Sequence, residues 1–152
     1  MNQGGYSMKK IAKLSFFYSI LGLLLGVFYR EFTKINDFTG KTVLSGLHTH
    51  VLVLGMLFFL IVLLLEKSFE LTKHKNFNKF YISYNIGLLL TVIMMAIRGC
   101  VEVLNPEISA TIDSSISGIA GLGHIIMAIA YILFFLLLLN RINDFDSNKS
   151  KQ

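Results

Sequence analysis

The chain is poor in most of what a soluble enzyme uses. It has a single cysteine, Cys100, so neither an intramolecular disulfide nor a cysteine-based metal cluster can form. It has one proline, and only 15% of its 152 residues are charged. No glycine-rich phosphate loop, no Ser/His/Asp set and no pair of carboxylates within an apolar stretch is present, which leaves hydrolysis and phosphoryl transfer without support. No catalytic constellation is visible, and whether the chain is an enzyme stays open.

What is abundant is apolar side chain. Hydrophobic residues make up 54% of the sequence and the mean hydropathy is +0.65, outside the range of ordinary soluble domains. Four runs are long enough to cross about 30 Å of hydrocarbon as helices: Ile11 to Tyr29, Leu44 to Leu65, Phe80 to Ile97 and Ile116 to Leu139. Because a backbone in lipid must satisfy its own hydrogen bonds, the expected fold is an all-α integral membrane protein, a four-transmembrane-helix bundle over residues 1–142. The polar tail 143–152 is expected to be disordered. Lys9, Lys10 and Lys13 precede the first run in the manner of a signal peptide. That run continues to Tyr29 without a small-residue cleavage site, so it reads as a retained span, with Met8 a possible start.

Lys and Arg are distributed asymmetrically. The N-terminal flank carries three, the loop after span two four and the C-terminal tail three, ten in all, against Arg30, Lys34, Lys41 and Arg98 on the other side. Both termini are therefore expected to be cytoplasmic, in a bacterial plasma membrane. The formal net charge of +5 follows from this topology, and because the basic residues sit at membrane edges it makes no case for nucleic acid.

Three of the four histidines, His48, His50 and His124, lie inside apolar runs, where an imidazole is costly unless it has a partner. In this topology all three fall in the outer half of the bilayer. His74, in the lysine-rich loop, is expected to be solvated. His50 lies 16 residues before Glu66, and His124 lies 16 residues before Asn140, so the two imidazoles are expected at nearly equal depth. Equal depth is what ligation of one upright haem from two helices requires, although unrelated helices of equal length would also give it.

The helix face of His124 carries Ser117, Ala120, Gly121 and Ala128, with Met127 and Tyr131 farther along. Either another helix packs closely on this stripe of small residues or a flat ligand fills the space. His48 and His50 are about 200° apart on a helix, so they cannot both ligate one metal and must serve different surroundings. The ordinary role for His48 is a hydrogen bond near the outer surface. Arg98 continues a face with Thr91, Met94 and Met95, and its guanidinium suits a haem propionate. A pair with Glu31 or Glu102, or snorkelling, is the simpler alternative. Arg30 has the same two readings. Gly22 and Gly26 form a G-x-x-x-G that signals close helix approach, within the chain or between chains.

The strings Gly26-Val-Phe-Tyr-Arg-Glu-Phe32, Leu47-His-Thr-His-Val-Leu-Val-Leu-Gly55 and Gly118-Ile-Ala-Gly-Leu-Gly-His124 resemble domain-of-unknown-function family 2871, small four-span bacterial membrane proteins. The resemblance covers nearly all of residues 8–142 and implies a topology but no activity. The H-x-H pair also resembles the catalytic subunit of haem-copper oxidases, in which two such histidines face opposite ways and ligate two haems. That subunit has three four-helix arcs about a pseudo-threefold axis. The resemblance implies that this chain is one arc, assembling as a homotrimer, with His50 or His48 as an axial ligand and His124 as its partner, conceivably across a subunit boundary. The copper histidines and linked tyrosine of the oxidases have no counterpart here, so oxygen reduction is not implied.

The leading expectation is a haem-b protein with cofactor contacts at His48, His50, His124, Arg98, Arg30 and Gly121. It would serve electron transfer or haem or gas sensing as a homo-oligomer, with a redox partner or quinone unspecified. The alternatives are copper or zinc binding or transport by His48, His50 and His124, and a structural accessory subunit. The inner halves of spans two and four are almost purely aliphatic and aromatic, which disfavours a polar path through the monomer.

Overall fold

A computed structural model describes residues 8–104 and 109–149. Five α-helices and one π-helical segment build four membrane-length spans: α1 (Met8–Ile35), span two, α4 (Phe77–Leu104) and α5 (Ala110–Lys149). Span two, Leu44–Phe69, is made of α2 (Leu44–His50), the π-helical segment Val51–Leu57 and α3 (Phe58–Phe69). No strand occurs among the described residues. The protein is thus a multi-pass membrane protein, and "upper" here denotes the end where α1 finishes and α2 begins.

The helices outrun the hydropathic segments because helix formation does not stop where the apolar run does. The clearest case is α5, which passes through Asn143 to Lys149 over residues expected to belong to a disordered tail. Residues 150–152 of that tail, and Met1–Ser7, lie outside the described residues. At the upper end α1 is closed by a Schellman motif: Phe38 N–H donates to Thr33 O at 3.0 Å and Asp37 N–H to Lys34 O at 3.2 Å. Asp37 takes the left-handed position at φ 48°. Because a Cβ there is strained, Asp37→Gly is expected to raise stability by about 1 kcal/mol, read as a higher midpoint of thermal unfolding in detergent.

Two antiparallel hairpins make the bundle. In the first, α1 packs along the whole of span two; in the second, α4 and α5 pack along most of their length. The hairpins meet where α2 and the π-helical segment cross α4, and lower down where α3 reaches α5. Gly22 and Gly26 serve the first hairpin: a Cβ at Gly22 would lie 2.6 Å from Leu52, and one at Gly26 would touch His48 at 3.7 Å. The G-x-x-x-G therefore closes α1 on span two within the chain. An aromatic cluster fills the middle and lower parts, with Phe58 stacked on Tyr84 (centroids 4.3 Å apart, planes at 10°) and edge-on to Phe80, Tyr131 and Phe134. Pairs of this kind contribute about 0.5–1.5 kcal/mol each beyond area burial. Tyr18 of α1 donates to Asn85 Oδ1 of α4 at 2.6 Å, a further tie between the hairpins.

The lower end is locked by polar groups. Glu66 accepts the Thr72 N–H at 2.8 Å and its hydroxyl at 2.7 Å, and Arg141 Nε donates to Phe69 O at 2.8 Å. Glu70, left-handed at φ 50°, pairs with Lys73 at 2.6 Å and Arg141 at 3.6 Å. The Lys73 hydrogen bond, aided by both positive charges and opposed by slight desolvation, holds its carboxyl below the usual glutamate value. This stabilisation is present above the ordinary glutamate range and is lost as pH falls through the lowered pKa. His74 is half-buried here and not simply solvated as expected, its Nδ1 accepting the Asn76 N–H at 3.2 Å just before α4.

Candidate functional site

At the lower end the hairpins touch. At the upper end α2 packs on α1 and α4 and makes at most marginal contact with α5. The result is a cleft with α2 and α5 as walls and α4 as floor. It contains two cavities of about 300 Å³ each, and His50 and His124 border both. The lower cavity is completed by Leu54, Leu88, Thr91, Met127, Ala128 and Tyr131. The upper one is completed by Val43, Met94, Met95, Arg98, Ile116, Ser117 and Ala120. Each volume is at the lower edge of the range for small-molecule pockets, and the two imidazoles form the waist between them.

Both imidazoles are held in the same way. His50 Nδ1 lies 2.9 Å from Gly46 O, and His124 Nδ1 lies 2.9 Å from Ala120 O. A carbonyl oxygen only accepts, so in each ring Nδ1 donates, and in the neutral imidazole it is Nε2 that has the lone pair. That is the tautomer in which a histidine ligates a metal through Nε2 while its other nitrogen is tied to a carbonyl. The helices supply it locally, each histidine reaching back four residues along its own helix.

Tyr131 borders the lower cavity and Tyr84 lies behind it. Tyr84 donates its one proton to Leu54 O at 2.8 Å, so in the 3.2 Å contact between Tyr84 and Tyr131 the donor is Tyr131. Thr91, 3% exposed, has a buried hydroxyl with no partner.

Arg98 stands at the upper cavity, as its spacing with Thr91, Met94 and Met95 suggested, but its partner is neither Glu31 nor Glu102. Its Nη1 is hydrogen-bonded to Asp113 Oδ1 and its Nη2 donates to Ser117 Oγ at 3.2 Å. Asp113 was missed in the sequence, although an acidic residue in the first turn of a helix, four residues before a serine, is a readable signal. Glu102 instead accepts the Val43 N–H at 2.8 Å.

The other candidates lie apart from the cleft. His48 points at α1, its ring carbon 3.7 Å from where a Gly26 Cβ would be, with a buried Nδ1 that has no partner and a Nε2 that lies 3.4 Å from Thr49 Oγ1. Arg30 has a side chain 79% exposed and is 3.8 Å from Glu31. Gly121 lies beside His124 but borders neither cavity, and a Cβ on it would meet nothing within 4 Å. Among the described residues no group of three His, Cys, Asp or Glu side chains is close enough to hold a metal ion. The expected copper or zinc set of His48, His50 and His124 is therefore not assembled within one chain: the second and third share a cleft and the first faces the opposite side.

The most consequential feature with no signal in the sequence is the π-helical segment directly below His50. Phe58 N–H reaches Val53 O, five residues back, where an α-helix would reach four. Side chains from two other helices accompany the wide turn: Ser15 Oγ donates to Met56 O at 2.9 Å, and Tyr84 to Leu54 O at 2.8 Å. The run Val51–Leu57 looks like any aliphatic stretch of a membrane helix, so only these partners betray it.

Four membrane-length helices and an upper cleft with two facing histidines define a small helical membrane protein with a candidate ligand site between its hairpins. Residues 8–141 match the family model described as a protein of unknown function (DUF2871), and the chain belongs to that family. No curated protein and no solved structure matches it.

Proposed function

We propose that this protein binds haem b in the upper cleft, with His50 and His124 as the two axial ligands, and that it serves electron transfer or haem or gas sensing in a bacterial plasma membrane. The observation that carries this reading is the shared position of the two imidazoles: on helices that scarcely touch, they border the same two cavities with the same tautomer and free Nε2 lone pairs. Cavities below and above the imidazole waist suit a flat macrocycle standing along the cleft, and a bound haem would supply one-electron chemistry there. Arg98 is held by Asp113 and Ser117 with guanidinium protons to spare for a propionate at the upper rim. Neither His48, Arg30 nor Gly121 belongs to this ligand set.

The Lys and Arg asymmetry orients the upper end outward and both termini toward the cytoplasm. The oxidase-like H-x-H supports a homotrimer, with the open α5 face at Gly118 and Gly121 as the place for a second chain. The test is an optical spectrum of detergent-purified protein, oxidised and dithionite-reduced, after expression with added haem. A Soret band with sharp reduced α and β bands is expected; a colourless protein would sink the proposal. Native mass spectrometry from the same sample is expected to give three chains.

A further inference from the structure

Span two holds one residue more than a regular helix would need, and we infer that this extra residue, fixed by Ser15 and Tyr84, is what turns His50 into the cleft. A π turn takes up about one residue more than an α turn. Counting upward from Phe58, a seven-residue π-helical segment therefore sweeps nearly the angle of six α-helical residues. Straightened to an α-helix on an unmoved α3, span two would rotate α2 by one residue, about 100°. Val51 would then face His124, and His50 would take the direction now held by Thr49, which is exposed.

The two hydroxyls are placed to prevent that. Met56 O and Leu54 O lie inside the widened stretch, and each accepts a side-chain proton from a different neighbouring helix: from Ser15 of α1, 2% exposed, and from Tyr84 of α4, fully buried. Carbonyls of a straight α-helix would point elsewhere, leaving the Ser15 hydroxyl without its acceptor and the Tyr84 hydroxyl with Tyr131 alone in an apolar interior, which is costly. Ser15 and Tyr84 are thus positioning residues: they touch no ligand and act on the site through the register of span two. The inference rests on His50 and His124 forming one site, as proposed above, and does not depend on what occupies it.

The test needs no haem, so its failure and the failure of the haem reading are separate events. In full-length protein in detergent, with Cys100→Ser as background, a short homobifunctional thiol reagent is used to join His124→Cys to one of Thr49→Cys, His50→Cys or Val51→Cys. The pair at 50 and 124 is expected to cross-link best. Deleting Val53, a residue 47% exposed and outside the core, is expected to preserve that preference, because the π-helical segment relaxes to an α-helix and the faces above and below stay in phase. Inserting alanine after Val53 is expected to move the preference to position 51, because the added residue turns α2 in the same sense as straightening would. A regular helix would respond to the two changes with equal rotations of opposite sign, so equal loss in both would overturn the inference. Ser15→Ala with Tyr84→Phe, which keeps the aromatic ring, is expected to lower the yield at 50 about tenfold relative to that at 51. Deleting Val53 in that variant is expected to restore it. An unchanged preference at 50 in the double variant would remove Ser15 and Tyr84 from the device.

Discussion

Alanine at His124 is expected to convert the paired reduced α and β bands of the haem-loaded protein to the broad spectrum of high-spin iron, and alanine at His50 to do the same. Each substitution removes one of the two imidazoles at the waist of the cleft, and no other imidazole borders either cavity: the remaining side chains are apolar groups, hydroxyls, methionines and a guanidinium. The methionines Met94, Met95 and Met127 are the only other soft donors, and a thioether in place of imidazole would itself shift the bands and raise the potential. His48→Ala serves as the control. Because His48 faces Gly26, its removal is expected to leave the spectrum intact in a monomeric sample. A His48→Ala spectrum altered as strongly as that of His124→Ala would mean that the ligand pair had been assigned to the wrong face of span two.

The second large effect is on stability. A Cβ added at Gly99 would stand 2.4 Å from Leu44 Cγ and 2.9 Å from its backbone nitrogen, so Gly99→Ala cannot be relieved by a side-chain rotation alone. The start of α2 must move. It is anchored at that point, because the buried Thr42 hydroxyl donates to Gly99 O at 3.2 Å while accepting the Leu44 N–H at 3.2 Å. The expected cost is about 3 kcal/mol, the upper part of the overpacking range, seen as a lowered unfolding midpoint in denaturant. In monomeric protein Gly121→Ala, where the new methyl meets nothing within 4 Å of its own chain, is expected to be neutral or to stabilise α5 by about 1 kcal/mol, since alanine is the better helix former. Equal losses from the two substitutions would show that the close approach of α2 to α4 does not set the stability of the upper end.

Much of the fold was written in local composition. Four apolar runs of bilayer length become four helices, and span two begins at Leu44 as expected, since Gly99 and Thr42 fix that start and the hydropathic boundary falls at the same residue. The lower and terminal boundaries differ, because a helix such as α5 continues through polar residues while its hydrogen bonds can be made. That His50 and His124 border the same cavities had a partial signal in the sequence, a match of residue counts from the lower boundary. That count assumed a constant rise per residue, which the π-helical segment breaks on one side only, so the shared cavities are the firmer statement of their relation. The direction of His48, the Asp113 partner of Arg98 and the widened turn all depend on neighbours distant in sequence. No periodicity within one helix encodes them.

The polar groups of the cleft are ordered along its axis. At the waist stand the imidazoles of His50 and His124, with Tyr131 bordering the cavity below; at the rim stands the Arg98 guanidinium, paired with Asp113. Any guest held there would be sorted by polarity as well as by shape. A guest whose buried end offered only carbonyl oxygens would meet the Nε2 lone pairs of neutral imidazoles, whereas a negative group would find its one cationic partner at Arg98. A guest electron-deficient at its centre and negative at one edge would set that edge toward Arg98, so the end of it lying nearer the membrane surface would follow from the place of one side chain.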